Sequence, residues 1–309
     1  MSFAYDIKSE ICNNRPFRHR NRKAQAYGLL LFGNSFGIDT ISIHTEHKVV
    51  ARLYADCIAD LIGLTDSITL REVKREGRRS IYMVTVDSLA DRAAVLSYFG
   101  CKAEDDSCGL RRELLADSDI PAFLSGAFLA AASVPDPEKE YRVEFAISSK
   151  PLCDDLAALL AEYLTAPKST TRRNDYLLYY KESENIEDLL TFIGAPKAAL
   201  NLMEIKIVKE LRNKVNRETN CETANITKTI DASMTQIEQI QLIQSRCGIE
   251  SLPEDLREIA VLRLENPDFS LRELGKMLST PISRSGVNHR LKRIAEFAEP
   301  LRNERRNEQ

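Results

Sequence analysis

Two stretches of the chain repeat one order of apolar and small residues. Ala26–Phe36 reads AYGLLLFGNSF and Leu124–Val134 reads LSGAFLAAASV. Gly28 corresponds to Gly126 and Ser35 to Ser133, at a constant offset of 98 residues. After the first copy, strict alternation over Asp39–His44 predicts a half-buried strand, and a 3.6-residue period over Val49–Leu64 predicts a helix. Ser67–Arg75, a turn at Gly77 and Ser80–Val86 read as a β-hairpin, and VLSYFGC (Val95–Cys101) as a short closing helix. The second copy follows the same order. Its strand is Tyr141–Ile147, its helix Leu152–Tyr163, its hairpin turns around Asn174, and its closing helix is LLTFIGA (Leu189–Ala195). An internal duplication of an α+β module is the simplest account of this order.

From residue 197 the pattern changes. Aromatic residues vanish up to 245 and apolar positions recur at helical spacing: Val208, Leu211 and Val215, then Ile226, Ile230, Ile237 and Ile240. The polar run RETNCETAN (217–225) between these groups predicts two helices or one broken one, docked on the second module. On it, Arg212, Asn213, Asn216, Arg217, Asn220 and Asn225 form a polar strip suited to docking between modules or to contacts with DNA.

Beyond it lies a compact three-helix pattern. Pro253 and Glu254 open a helix that Asn266, Pro267 and Asp268 end. Ser270 with Glu273 forms a capping box for Leu271–Leu278. Ser283 caps a last helix running to about Phe297, with Val287, Leu291 and Ile294 on its inner face. Leu271, Leu274 and Leu278 face that stripe, and Gly275 allows close approach. This is the pattern of a helix-turn-helix. Ser283, Arg284, Ser285, Asn288, His289, Lys292 and Arg293 are the candidate DNA contacts, because they offer donors and acceptors for base edges and phosphates.

Charge sharpens this reading. The chain carries 43 Lys+Arg against 46 Asp+Glu, a formal charge of −3, which taken alone disfavours a polyanionic partner. Yet Ser270–Ile294 holds six Lys/Arg and one Glu. A second basic run, RPFRHRNRK (15–23), precedes the first motif helix and makes Arg18, Arg20, Arg22 and Lys23 candidate contacts to a DNA backbone. No apolar run reaches the ~18–20 residues of a membrane span. Seven scattered cysteines without a CxxC argue for reduced thiols in a cytoplasmic protein. His44 and His47 have metal-like spacing but lack a third ligand. No metal or other cofactor is expected.

The repeated stretches resemble the LAGLIDADG homing endonucleases. FLSGAFLAAAS (Phe123–Ser133) lies along that motif, and the metal-binding aspartate of the pattern falls on Ala131 and, in the first copy, on Gly33. Its other aspartate falls on Leu129 and Leu31. The resemblance implies two motif helices packed across a pseudo-two-fold axis and flanking sheets. With the carboxylates absent, it implies a non-catalytic scaffold. The combination with a C-terminal helix-turn-helix is similar to the WhiA family of bacterial sporulation and cell-division regulators. The stretches SVPDPEKEYRVEF (133–145), IVKELRNKVNRETNCETAN (207–225), SLPEDLREIAVLRLENPDFSLRELGKML (251–278) and SRSGVNHRLKRI (283–294) carry that similarity.

The expected fold is therefore α+β. A first LAGLIDADG-like repeat with its basic segment spans 1–110 and a second spans 111–200. A helical linker covers 201–246, an all-α helix-turn-helix domain 247–303, and a tail 304–309. The resemblance implies a non-enzymatic, nucleoid-associated transcriptional regulator. It would bind promoter duplexes and act in sporulation septation, division and chromosome segregation, with RNA polymerase or another regulator as a further partner. Two other readings stay open: a metal-dependent nuclease using Asp39 or Asp136, and a protein-interaction module contacting the transcription machinery.

Overall fold

Two four-stranded antiparallel sheets with the same strand order frame the first part of the chain in the computed structural model, which describes residues 2–14, 19–63, 66–77, 79–101 and 109–307. The first sheet contains β1 (Ser35–Phe36), β2 (Ile41–Thr45), β3 (Ile68–Val73) and β4 (Ile81–Val86), ordered β1-β2-β4-β3. The second contains β5 (Ala132–Ser133), β6 (Val143–Ile147), β7 (Lys168–Arg172) and β8 (Asp175–Tyr180), ordered β5-β6-β8-β7. In each module a motif helix precedes the sheet: α2 (His19–Leu31) in the first, α5 (Ile120–Ala131) in the second. A helix after the second strand and another after the hairpin follow: α3 (Lys48–Ile62) and α4 (Leu89–Tyr98), then α6 (Lys150–Tyr163) and α7 (Ser183–Phe192). The predicted duplication is thus present strand for strand.

The two motif helices meet along their small residues. A Cβ on Gly28 would lie 2.1 Å from the Phe123 carbonyl oxygen, and one on Gly126 would lie 2.1 Å from that of Gln25. Gln25 Nε2 donates to Ser125 Oγ at 2.9 Å inside this contact. Tyr27, Leu29, Leu30, Phe123, Leu124, Ala127 and Phe128 are buried around it in one hydrophobic core.

Several boundaries differ from the sequence expectations. An amphipathic helix, α1 (Phe3–Asn13), stands where none was predicted and buries Ile7 and Ile11. Within the basic run, Arg20, Arg22 and Lys23 lie inside α2, whereas its residues 15–18 lie outside the described residues. The closing helices start earlier than their apolar clusters; α4 is capped by Ser88, whose Oγ accepts from the Asp91 N–H. Cys101 is disulfide-bonded, against the expectation of reduced thiols throughout. The absence of a CxxC argues against a framework of disulfides, not against a single bridge.

The linker is one helix, α8 (Pro196–Arg246), rather than two. Glu10 caps its start, accepting the N–H groups of Lys197 and Ala198 at 2.9 and 3.0 Å. The polar run does not break it because that run contains neither Gly nor Pro. Its side chains bond back along the helix, as Arg217 Nε does to the Asn213 carbonyl and Thr229 Oγ1 to that of Asn225. The expected docking on the second module holds only at the start of the helix, where Lys206 pairs with Glu184 and Lys209 donates to the Pro137 carbonyl. Ala198, Ala199 and Leu202 join the first core, but Val208, Leu211, Val215, Ile226 and Ile230 are exposed.

By internal contacts the chain forms two units, Met1–Glu210 and Leu211–Gln309. The second has its own core. Ile240 and Ile243 of α8 pack with α9 (Glu254–Glu265), α10 (Leu271–Met277) and α11 (Arg284–Asn307). The last helix outruns its expected end at Phe297, and the tail expected from 304 is helical to Asn307. Ala298 and Leu301 extend the inner stripe of Val287, Leu291 and Ile294 by two further contacts.

Candidate nucleic-acid interface

The second unit presents α11 on a frame built from local chemistry. The Ser270 Oγ accepts from the Glu273 N–H, while Glu273 accepts from the Ser270 N–H at 2.8 Å, completing the predicted capping box. Gly275 is required where the turn folds back: a Cβ there would lie 2.5 Å from the Ile282 carbonyl and 3.0 Å from Val287. Glu258 of α9 pins the same turn by accepting from the Ser279 N–H and hydroxyl. Ser283 caps α11, with its Oγ accepting from the Gly286 N–H at 3.2 Å. Leu274, Leu278, Val287, Leu291 and Ile294 are buried between the helices, as their spacing predicts.

The opposite face of α11 is open. Ser283, Arg284, Ser285, Asn288, His289 and Lys292 are all exposed. Arg293 sits between the two faces and donates to Asp255 Oδ2 at 2.6 Å. The face thus combines an amide, an imidazole, hydroxyls and two cations without an ion-pair partner among the described residues, along the first three turns. That repertoire matches base edges and phosphates in a major groove.

The basic residues at the start of the chain are placed differently. Arg18 lies outside the described residues. Arg20 donates to Asp119 at 2.7 Å, a carboxylate 1% exposed, and so ties α2 to the turn that opens α5. Lys23 lies 4.5 Å over the Tyr98 ring. Arg22 is exposed.

The degenerate motif positions surround a cleft of about 350 Å³ at the C-terminal ends of α2 and α5. Leu31, Gly33, Asn34, His44 and Ala131 line it together with Asp175, whose carboxylate is the one acid in the lining. Leu129 is fully buried just behind. Neither Asp39 nor Asp136 lines it; Asp136 instead orders a turn by accepting from the Glu138 N–H. Lys8, which the sequence reading missed, reaches this end of α5. Its Nζ donates to the Leu129 carbonyl at 3.1 Å, and burial pushes its pKa down to about 8. An ammonium on the last carbonyls of a helix satisfies groups left without intrahelical partners. The apolar spacing of Phe3, Ile7 and Ile11 was the available signal for this helix.

A divalent ion does not fit this donor set. Such ions need several oxygen ligands, usually carboxylates, and here one carboxylate shares the region with a buried cation. Among the described residues no three His, Cys, Asp or Glu side chains are grouped to hold a metal, and His44 and His47 gain no third partner. Nor is any described helix long and apolar enough to cross a membrane.

Comparison with known proteins agrees with this architecture. Residues 120–212 match the model of the WhiA LAGLIDADG-like domain, and residues 215–298 that of the WhiA C-terminal HTH domain. A probable cell division protein WhiA of Clostridium beijerinckii is 37% identical over 312 residues, covering 98% of this chain and 99% of that protein. Its counterpart from a Thermoanaerobacter species is also 37% identical, covering 99% of each. Full-length DUF199/WhiA of Thermatoga maritima superposes with a TM-score of 0.55 at 25% identity, covering 97% of this chain and 99% of that one. With two degenerate motif helices, paired sheets, a helix-turn-helix and relatives similar from end to end, the chain belongs to the WhiA family of bacterial cell division proteins.

Proposed function

We propose that the protein is a sequence-specific, cytoplasmic and nucleoid-associated transcriptional regulator. It binds promoter duplexes through α11 and acts in division, chromosome segregation and sporulation septation. The open outer face of α11 is the observation that supports this most directly. Arg284, Ser285, Asn288 and His289 supply the base-reading groups, Ser283 and Lys292 engage phosphates, and Arg293 sets the helix on α9 through Asp255. In this reading residues 1–200 form two repeats that serve as a non-catalytic scaffold, to which RNA polymerase or another regulator docks. The donor set of the cleft at Gly33 and Ala131 supports the absence of catalysis, since phosphoryl chemistry on two metals needs carboxylates at both ions.

The decisive measurement is anisotropy of the full chain with a duplex selected from a random pool and with a shuffled duplex of equal length. Asn288→Ala is expected to weaken the selected duplex about tenfold or more, the ~1–3 kcal/mol of one bidentate base contact, and to leave the shuffled one nearly unchanged. Equal affinity of wild type and variant for both duplexes would remove α11 as the reading helix. Cleavage of plasmid DNA by the full chain with Mg²⁺ or Mn²⁺ would remove the scaffold assignment.

A further inference from the structure

Within the second unit, the outer face of α11 continues into a groove of about 450 Å³ whose far wall is α8. Lys228 comes from α8, Arg263 from α9, Arg272 from α10, and Arg284 and Asn288 from α11. The lining carries these four cations and no carboxylate. Lys228, Arg272 and Arg284 are exposed and make no ion pair with any described residue. Two other basic side chains of the unit are engaged instead: Arg293 by Asp255, and Arg257 by the carbonyls of Glu250 and Leu252.

Arg263 gives an independent indication. It is 2% exposed, and its Nη1 donates to the carbonyls of Asn266, Pro267 and Phe269, at 2.7 Å for the last. Its Nε is buried without a hydrogen-bond partner among the described residues. A guanidinium with no carboxylate beside it and a free donor is costly to bury unless an acceptor arrives.

We propose that this groove seats a backbone phosphate of the duplex that α11 reads, held by Lys228 and Arg272 beside the base-reading Arg284. Helix α8 is then a further DNA-contacting element beyond the helix-turn-helix itself. The inference rests on the DNA-binding reading above. It adds a contact that positions the recognition helix without reading sequence, and it takes up Lys228, just beyond the polar strip of α8.

Lys228→Ala tests it, since Ala is a strong helix former and the residue is exposed, so folding is preserved. In the full chain the variant is expected to lose several-fold in affinity for the selected and the shuffled duplex alike. The slope of log affinity against log salt should fall by about one. Lys214→Ala, on the same helix but outside the groove, is expected to keep the wild-type slope. If Lys228→Ala keeps the wild-type slope while Asn288→Ala still loses the selected duplex, the groove assignment falls and the reading helix stands. If Lys214→Ala lowers the slope equally, diffuse charge explains the effect and the groove assignment also falls. If wild type binds neither duplex, both readings fall. Stabilisation of wild type by inorganic phosphate at constant ionic strength, lost in Lys228→Ala, would make this a free-anion site and overturn the DNA assignment.

Discussion

Gly28 and Gly126 each face the backbone of the helix that carries the other. A Cβ on Gly28 would meet the Phe123 carbonyl and the Ala127 N–H; one on Gly126 would meet the Gln25 carbonyl and the Leu29 N–H. Gln25 and Phe123 are offset by 98 residues, as are Leu29 and Ala127, and as are the two glycines. The contact is therefore reciprocal, as a two-fold axis between α2 and α5 requires.

Because the obstacles are carbonyls and amides of a helix, no rotamer change relieves them. Gly126→Ala is expected to lower the stability of the first unit by about 1–3 kcal/mol or more, the usual cost of overpacking. A Cβ on Gly37 would meet nothing within 4 Å, so Gly37→Ala is expected to stay within about 0.5 kcal/mol of wild type. Urea midpoints of the two variants decide it; equal midpoints would mean that α2 and α5 are not held this closely.

This relationship was legible because a duplication writes the same constraint twice, 98 residues apart. The helix-turn-helix was legible for a different reason: its caps, its turn and its inner stripe all lie within 30 residues and agree with one another. What escaped was long-range. Nothing local to Lys8 shows that its ammonium meets the carbonyl of Leu129, 121 residues away. Nothing local to Arg20 or Lys23 shows that Asp119 and Tyr98 receive them, so two cations of a basic run read as a DNA flank also brace the first unit. The linker failed in the opposite direction. An apolar stripe normally predicts burial, yet Leu211, Val215 and Ile226 are exposed on a helix that local propensity and its Glu10 cap sustain.

Buried Lys8 makes stability depend on alkaline pH. Its pKa is pushed from the ordinary 10.5 to about 8, chiefly by burial, with Cys12 and Glu46 opposing. Between those values the unfolded chain binds more protons than the folded one, so stability rises with pH. Wild type is expected to gain on Lys8→Met as pH goes from 8 to about 9.5, before tyrosines begin to ionise. A stability difference that stays flat over this window in chemical denaturation would mean that Lys8 is not desolvated.

His47 produces the corresponding effect in acid. Burial, with the charges of Lys8 and Arg79, holds its pKa down to about 4, and its Nδ1 has no hydrogen-bond partner among the described residues. The unfolded chain takes up a proton near 6.5 that the folded one refuses, so stability falls as pH drops from 6.5 towards 4. His47→Phe keeps a ring beside Tyr5, whose centroid lies 6.0 Å away, and is expected to remove that component of the fall. In Lys8→Met the fall should be smaller and level off at a higher pH, because one of the two charges opposing protonation is gone and the folded-state pKa moves back toward 6.5. An unchanged acid limb in both variants would contradict this coupling.

Lys292 and Arg293 are adjacent on α11, carry the same charge, and are expected to behave differently toward DNA. Lys292 is exposed and without an ion-pair partner among the described residues, whereas Arg293 is held by Asp255 at 2.6 Å. A cation already compensated by a carboxylate adds little to the attraction of a polyanion, and two groups each about 40% exposed contribute only ~0–1 kcal/mol to folding. Lys292→Ala should therefore reduce the salt slope of duplex binding by about one. Arg293→Ala should change it much less, with a stability loss under about 1 kcal/mol. Asp255→Ala completes the argument: removing the carboxylate frees the Arg293 charge and takes a negative charge from the neighbourhood of the phosphates, so affinity for both selected and shuffled duplexes should rise. Salt-slope measurements on the three variants are sufficient. A slope loss in Arg293→Ala equal to that in Lys292→Ala would place Arg293 on the DNA rather than on α9.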